Sequence, residues 1–122
     1  MATRKKILVV EDDDVARELM RLTLERQGYT VTTAVDGISG YDLAVEFRPD
    51  LIITDIQMPS ADGVHLMRRV RDTADLTGTP ILVTTGYGTG SATFTLAQGA
   101  DAYEPKPVDP ANLLATVQRL LS

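Results

Sequence analysis

Five short runs of mainly apolar residues alternate with segments of helical periodicity, and this alternation is the strongest constraint on the fold. The first four runs are rich in β-branched residues, which is typical of buried strands. The runs cover residues 7–10, 29–34, 51–54, 80–85 and 101–104. Strands that alternate with helices predict a parallel sheet with right-handed crossovers and helices on both faces. The sequence therefore predicts an α/β fold with a five-stranded sheet, order 2-1-3-4-5, between five helices.

The predicted helices cover residues 15–27, 37–48, 63–71, 89–98 and 110–122, and four of them show apolar stripes that should face the core. These stripes are Val15, Leu19 and Leu22; Ile38, Tyr41 and Val45; Val64, Leu66, Met67 and Val70; and Leu113, Val117 and Leu120. The helix over 89–98 should be the least stable, because its glycine and threonines have low helix propensity. Pro105 lacks one ladder hydrogen bond, which predicts that strand five lies at an edge.

Length and composition narrow the class of protein. With 122 residues the chain is predicted to form one domain, residues 1–122, without an output domain. The net charge of −5 disfavours nucleic acid as a direct partner. The chain has no cysteine, which fits a reducing cytoplasm. The apolar run at 7–10 is too short for a signal peptide or a membrane span.

Polar residues follow four of the five predicted strands, and a parallel sheet brings these strand ends to one edge. They are Glu11, Asp12, Asp13, Asp55, Thr85 and Lys106. Clustered carboxylates repel one another, and a hard divalent cation such as Mg²⁺ (or Mn²⁺) neutralises them. Asp13 is also explained as a helix cap. A metal, a lysine and a hydroxyl around Asp55 form the set that phosphoryl transfer needs, with Asp55 as nucleophile.

These residues resemble the receiver domain of two-component response regulators, a flavodoxin-like (βα)₅ fold of which CheY-like single-domain proteins are examples. The matching segments are residues 7–12, 50–55 with 58–59 and 62–63, 85–86, and 99–103 with 106–107. Each motif alone is weak, but the four stand in the correct order and span nearly the whole chain. The resemblance implies a signalling switch that is controlled by phosphorylation and is not an enzyme with a turnover substrate. Its own chemistry would be limited to transfer of a phosphoryl group onto itself and slow hydrolysis of that group.

The resemblance also implies roles for individual residues. Asp55 would accept a phosphoryl group from a sensor histidine kinase or a phosphotransfer protein. Asp12, Asp55 and the backbone carbonyl of Gln57 would bind Mg²⁺ directly, and Glu11 would reach it through water. Thr85 and Lys106 would each bind a phosphoryl oxygen. In addition, the Lys106–Pro107 bond would be cis.

The switch implied by the resemblance runs through Thr85 and Tyr103. Phosphorylation would draw Thr85 toward the phosphoryl group and let Tyr103 turn inward. The surface of the fourth helix, fifth strand and fifth helix would change, which would control an unidentified protein partner. The protein would be a monomer or a weak dimer. Gln57 and the bulky Tyr87 flank the path of attacking water, and we expect both to modulate dephosphorylation.

Other functions fit the pattern less well. A phosphatase resembling the haloacid dehalogenase group also uses a strand-end aspartate and Mg²⁺. It usually requires a second aspartate two residues later, where this chain has Gln57. A flavin-binding electron carrier would need a glycine- and hydroxyl-rich phosphate loop after strand one, where this chain has acids. The complete site argues against an interaction module that works without phosphate.

Overall fold

The computed structural model describes residues 4–56, 63–86, 96 and 99–122. Within them, five parallel strands form one sheet in the order β2-β1-β3-β4-β5, as predicted. The strands are β1 (Lys6–Val10), β2 (Thr30–Ala34), β3 (Leu51–Asp55), β4 (Ile81–Thr85) and β5 (Ala102–Pro105). β5 lies at an edge, and Pro105 is its last residue. An edge position was predicted for this strand because proline has no N–H to donate to a neighbouring strand.

In the part of the chain that the structure describes, four long helices flank the sheet: α1 (Asp14–Arg26), α2 (Gly37–Phe47), α3 (Gly63–Asp72) and α4 (Pro110–Leu121). The C-terminal helix α4 corresponds to the last predicted helix, because the helix predicted over 89–98 lies outside the described residues except for position 96. Asp13, Asp36 and Asp109 cap α1, α2 and α4 by accepting hydrogen bonds from backbone N–H groups three residues later. None of the described helices has the length and apolar character that crossing a membrane requires.

The core consists of two apolar layers, one on each face of the sheet. α2 and α3 pack on one face and α1 and α4 on the other. β1 is buried from Ile7 onward and β3 is buried throughout, as expected for central strands. Leu66, Met67 and Val70 of α3 and Leu113 and Val117 of α4 are buried, which confirms most of these two stripes.

The stripe predicted for α1 is wrong. Val15 and Leu19 are 68% and 60% exposed, and Leu22 is also exposed. Met20 and Leu24 fill the core instead. The helix carries two apolar stripes at helical spacing, and the packing of α1 on the sheet buries the second.

The stripe predicted for α2 is also largely wrong, because Ile38 and Val45 are exposed. The buried positions are the small residues Gly37, Gly40 and Ala44. A Cβ added at Gly40 would lie 2.9 Å from a methyl carbon of Val10. Small residues thus bring the backbone of α2 close to β1, which larger side chains would prevent.

Candidate functional site

Two buried carboxylates and one ammonium meet at the carboxyl end of the sheet. Glu11 follows β1 and is fully buried, and Asp55 ends β3 and is 5% exposed. The Nζ of Lys106 lies 2.6 Å from Glu11 Oε1 and 2.6 Å from Asp55 Oδ2. Residues that are far apart in the chain therefore form one ionic cluster where the parallel strands end.

Asp12 adds a third, exposed carboxylate to this cluster. One carboxylate oxygen from each of Glu11, Asp12 and Asp55 lies within 4.8 Å of the others. An all-oxygen, anionic donor set suits a hard divalent cation such as Mg²⁺, which keeps several waters and takes few carboxylates. These residues therefore fit the predicted metal. Gln57, whose carbonyl was the remaining predicted ligand, lies outside the described residues, as does Tyr87.

The loop after β1 is held by its own hydrogen bonds. The Glu11 N–H donates to the carbonyl of Ala34, and the Asp13 N–H donates to Glu11 Oε2 at 3.0 Å. Asp13 Oδ2 accepts from the Ala16 N–H, so its side chain caps α1. The loop thus directs two acids toward Asp55 and uses the third to begin the helix.

Burial and pairing change the acid–base behaviour of the cluster. Burial raises the pKa of Glu11, although Lys106 and the Asp13 N–H partly offset this. Burial alone would lower the pKa of Lys106, but hydrogen bonds to Asp55 and Glu11 outweigh it and raise that pKa. Lys106 therefore stays charged at neutral pH, with the carboxylates of Glu11 and Asp55 in contact with its ammonium.

Thr85 and Tyr103, the two predicted switch residues, share one face of the sheet. Thr85 is fully buried, and its carbonyl accepts a hydrogen bond from the Lys106 N–H at 2.7 Å. Tyr103 is half-buried against the core layer of α2 and α3. The Lys106–Pro107 peptide bond is cis. Gly86 is exposed, and a Cβ added there would have no described atom within 4 Å.

Gly63 has a role that the sequence prediction missed. A Cβ on Gly63 would lie 2.4 Å from the carbonyl oxygen of Asp55 and 2.8 Å from Cα of Ile56. The Gly63 N–H also donates to the Ile56 carbonyl. The start of α3 is therefore pressed against the backbone that carries Asp55. The signal was the position of this glycine at the first turn of a helix, where other residues are better helix formers.

We expect Gly63→Ala to destabilise the protein by about 2 kcal/mol, within the range measured for overpacked cores. The methyl group meets backbone atoms, so it can be accommodated only by displacing Asp55 or the start of α3. Urea denaturation measures the stability. Gly78→Ala is the matched control, because nothing lies within 4 Å of its added Cβ. Equal stability of the two variants would contradict the steric role of Gly63.

Comparison with known proteins identifies the family. The model of the response regulator receiver domain family matches residues 7–118. Transcriptional regulatory protein CseB of Streptomyces coelicolor is 40% identical over 121 residues, which cover 99% of this chain and 51% of that protein. Response regulator MprA of Mycobacterium sp. (strain KMS) is 42% identical over 117 residues, covering 95% and 50%. The chain thus spans about half the length of these curated relatives.

A solved structure gives the same result. Chemotaxis response regulator CheY4 of Vibrio cholerae superimposes with a TM-score of 0.92 at 36% identity, covering 98% of this chain and 100% of that chain. The chain belongs to the response regulator receiver domain family. It is a receiver domain of two-component response regulators, a class that generally binds Mg²⁺ and accepts phosphate from histidine kinases.

Proposed function

We propose that Asp55 is the phosphoacceptor of this receiver domain and that Glu11, Asp12 and Asp55 hold its Mg²⁺. The observation that carries the proposal is the Asp55 carboxylate, which is buried beside Lys106 and within reach of two further acids. Glu11, the other described carboxylate buried at a strand end, shares these neighbours, but it is fully buried and its Oε2 already accepts the Asp13 N–H. The predicted Gln57 carbonyl would complete the protein ligands.

In the proposed reaction an oxygen of Asp55 attacks the phosphorus of a phosphohistidine. A P–O bond forms, the P–N bond breaks, and its electron pair remains on the imidazole, which takes a proton from water. Lys106 lies where it can exchange its contact with Asp55 for one with a phosphoryl oxygen. The Thr85 hydroxyl is proposed to bind another oxygen. Bound Mg²⁺ would offset negative charge on the phosphoryl oxygens.

The proposed output is a shift between two conformations. The phosphoryl group adds charge and acceptor oxygens, which favour a state with Thr85 and Lys106 drawn toward it. Thr85 and Tyr103 lie on the same side of neighbouring strands, and we propose that movement of Thr85 changes the space open to Tyr103. We propose that the protein partner recognises the surface formed by β5, α4 and the predicted helix over 89–98. Phosphorylation would change the relative populations of the two conformations of this surface.

We propose a protein as the phosphoryl donor, namely a sensor histidine kinase or a phosphotransfer protein in the cytoplasm. The exposed Val15 and Leu19 border a groove of about 280 Å³ that reaches Glu11 and Lys106. Apolar side chains beside a charged site suit contact with a protein surface. The acidic net charge supports a protein target, with no direct contact to nucleic acid.

The proposal is tested by incubating the protein with acetyl phosphate, with Mg²⁺ or with EDTA. We expect one phosphoryl group per chain in Mg²⁺, none in EDTA, and loss of the group in hydroxylamine, as for an acyl phosphate. Reductive trapping and peptide mapping should place it on Asp55. Modification elsewhere, or none in Mg²⁺, would overturn the assignment.

A further inference from the structure

Arg17 reaches back from the first turns of α1 to the acidic loop that follows β1. Its Nη1 donates to the carbonyl oxygen of Glu11 at 2.9 Å and lies 3.4 Å from the carbonyl oxygen of Asp12. Its Nη2 pairs with Asp14. The Arg17 side chain is only 19% exposed although it belongs to an outer helix. The Arg17 guanidinium thus contacts the backbone carbonyls of both Glu11 and Asp12, two of the proposed metal ligands.

These contacts complete the bonding of the loop. Glu11 is fully buried, and Arg17 Nη1 supplies a hydrogen bond to its carbonyl oxygen, which has little contact with water in the folded protein. The N–H groups of Glu11 and Asp13 are already paired, with Ala34 and with Glu11 Oε2. Arg17 binds the carbonyls of Glu11 and Asp12, which lie between these two paired N–H groups. It therefore restrains the peptide planes from which the Glu11 and Asp12 side chains project.

We infer that Arg17 is a positioning residue of the metal site, holding the Glu11–Asp12 backbone so that both carboxylates face Asp55. The inference rests on the proposed function, because it concerns the same site. Arg17 binds carbonyl oxygens of this loop, and its charge is paired with Asp14, so the three clustered carboxylates keep their negative charge for a cation.

The direction of the effect separates positioning from simple electrostatics. Removing a positive charge near a cation site strengthens cation binding if charge alone matters. Removing a group that orients the ligands weakens it, and the loss of such supporting contacts typically costs about 10-fold or more in metal affinity. The two explanations thus predict opposite signs for the same substitution.

The experiment measures Mn²⁺ affinity by electron paramagnetic resonance and Mg²⁺ affinity by calorimetry. We expect Arg17→Ala to bind both ions about 10-fold more weakly. Arg17→Lys, which keeps a donor for one carbonyl, should be intermediate. Arg21→Ala is the matched control, because Arg21 lies on the same helix but pairs with Glu18 and Glu25. The Mg²⁺ concentration for half-maximal phosphorylation should shift with the affinity, while the extent at saturating Mg²⁺ stays at the wild-type level.

The outcomes distinguish this inference from the function on which it rests. If the wild type binds neither ion and takes up no phosphoryl group, the proposed function fails. If the wild type binds and Arg17→Ala binds equally or more tightly, the positioning role fails. If circular dichroism shows that Arg17→Ala is unfolded, Arg17→Lys decides: weaker binding supports the role and wild-type affinity overturns it.

Discussion

Asp55→Asn should take up no phosphoryl group from acetyl phosphate in Mg²⁺ and should still fold. An amide is a very poor nucleophile compared with a carboxylate, but it has nearly the same shape. Its oxygen still accepts a hydrogen bond from Lys106, so we expect the free energy of unfolding to change by only about 1 kcal/mol. Intact mass measures the phosphorylation and urea denaturation measures the stability.

The control for this prediction is Asp42→Asn, which makes the same chemical change at an exposed position of α2. It should be phosphorylated like the wild type. Beryllofluoride, which mimics the acyl phosphate, should alter the wild type and Asp42→Asn but not Asp55→Asn. Persistent phosphorylation of Asp55→Asn would show that another residue is the acceptor.

Lys106→Met should destabilise the protein at neutral pH by about 3 kcal/mol, the low end of the range for breaking a buried ion pair. The substitution removes the ammonium that lies between the buried carboxylates of Glu11 and Asp55, so their mutual repulsion is less well offset. Adding Mg²⁺ should recover much of the loss, because the cation replaces the ammonium. Urea denaturation with and without Mg²⁺ measures both effects, and Lys5→Met, at an exposed lysine, is the control.

The same variant should show a characteristic pH dependence. The pKa of Glu11 is raised by burial, so its ionisation costs stability as the pH rises above the ordinary value of 4.5. Without Lys106 this cost increases, so the difference from wild type should be small in acid and grow toward neutral pH. In the wild type, the stabilisation from the raised pKa of Lys106 is complete below 10.5 and is lost as the pH rises through the folded value. A difference that is independent of pH between acid and neutrality would contradict the proposed coupling.

The sheet and the composition of the site were predictable because both depend on short-range patterns. The apolar runs fix the strands, and parallel pairing then brings every strand end to one edge. Glu11, Asp55 and Lys106 could therefore be grouped from the sequence alone, and the structure places their charged groups in contact.

The orientation of the outer helices was not predictable in the same way. Val15 and Leu19 form as good a helical stripe as Met20 and Leu24, and only the packing of α1 on the sheet selects between them. This error also concealed Arg17, whose side chain is only 19% exposed. Likewise, the prediction for α2 relied on its apolar stripe and overlooked Gly40. A glycine has low helix propensity, so its presence inside a helix was the signal of close packing on β1.

The position of Lys106 beyond the last strand has a consequence for the order of folding. Glu11 and Asp55 are brought together as soon as β1 pairs with β3, whereas their ammonium arrives only when β5 joins the edge of the sheet. Without that ammonium the two neighbouring acids repel each other. Docking of β5 therefore offsets that repulsion, so we expect the edge strand and the ionic cluster to stabilise each other. A ribosome-bound chain that ends before β5 should accordingly gain more stability from Mg²⁺ than the full chain does.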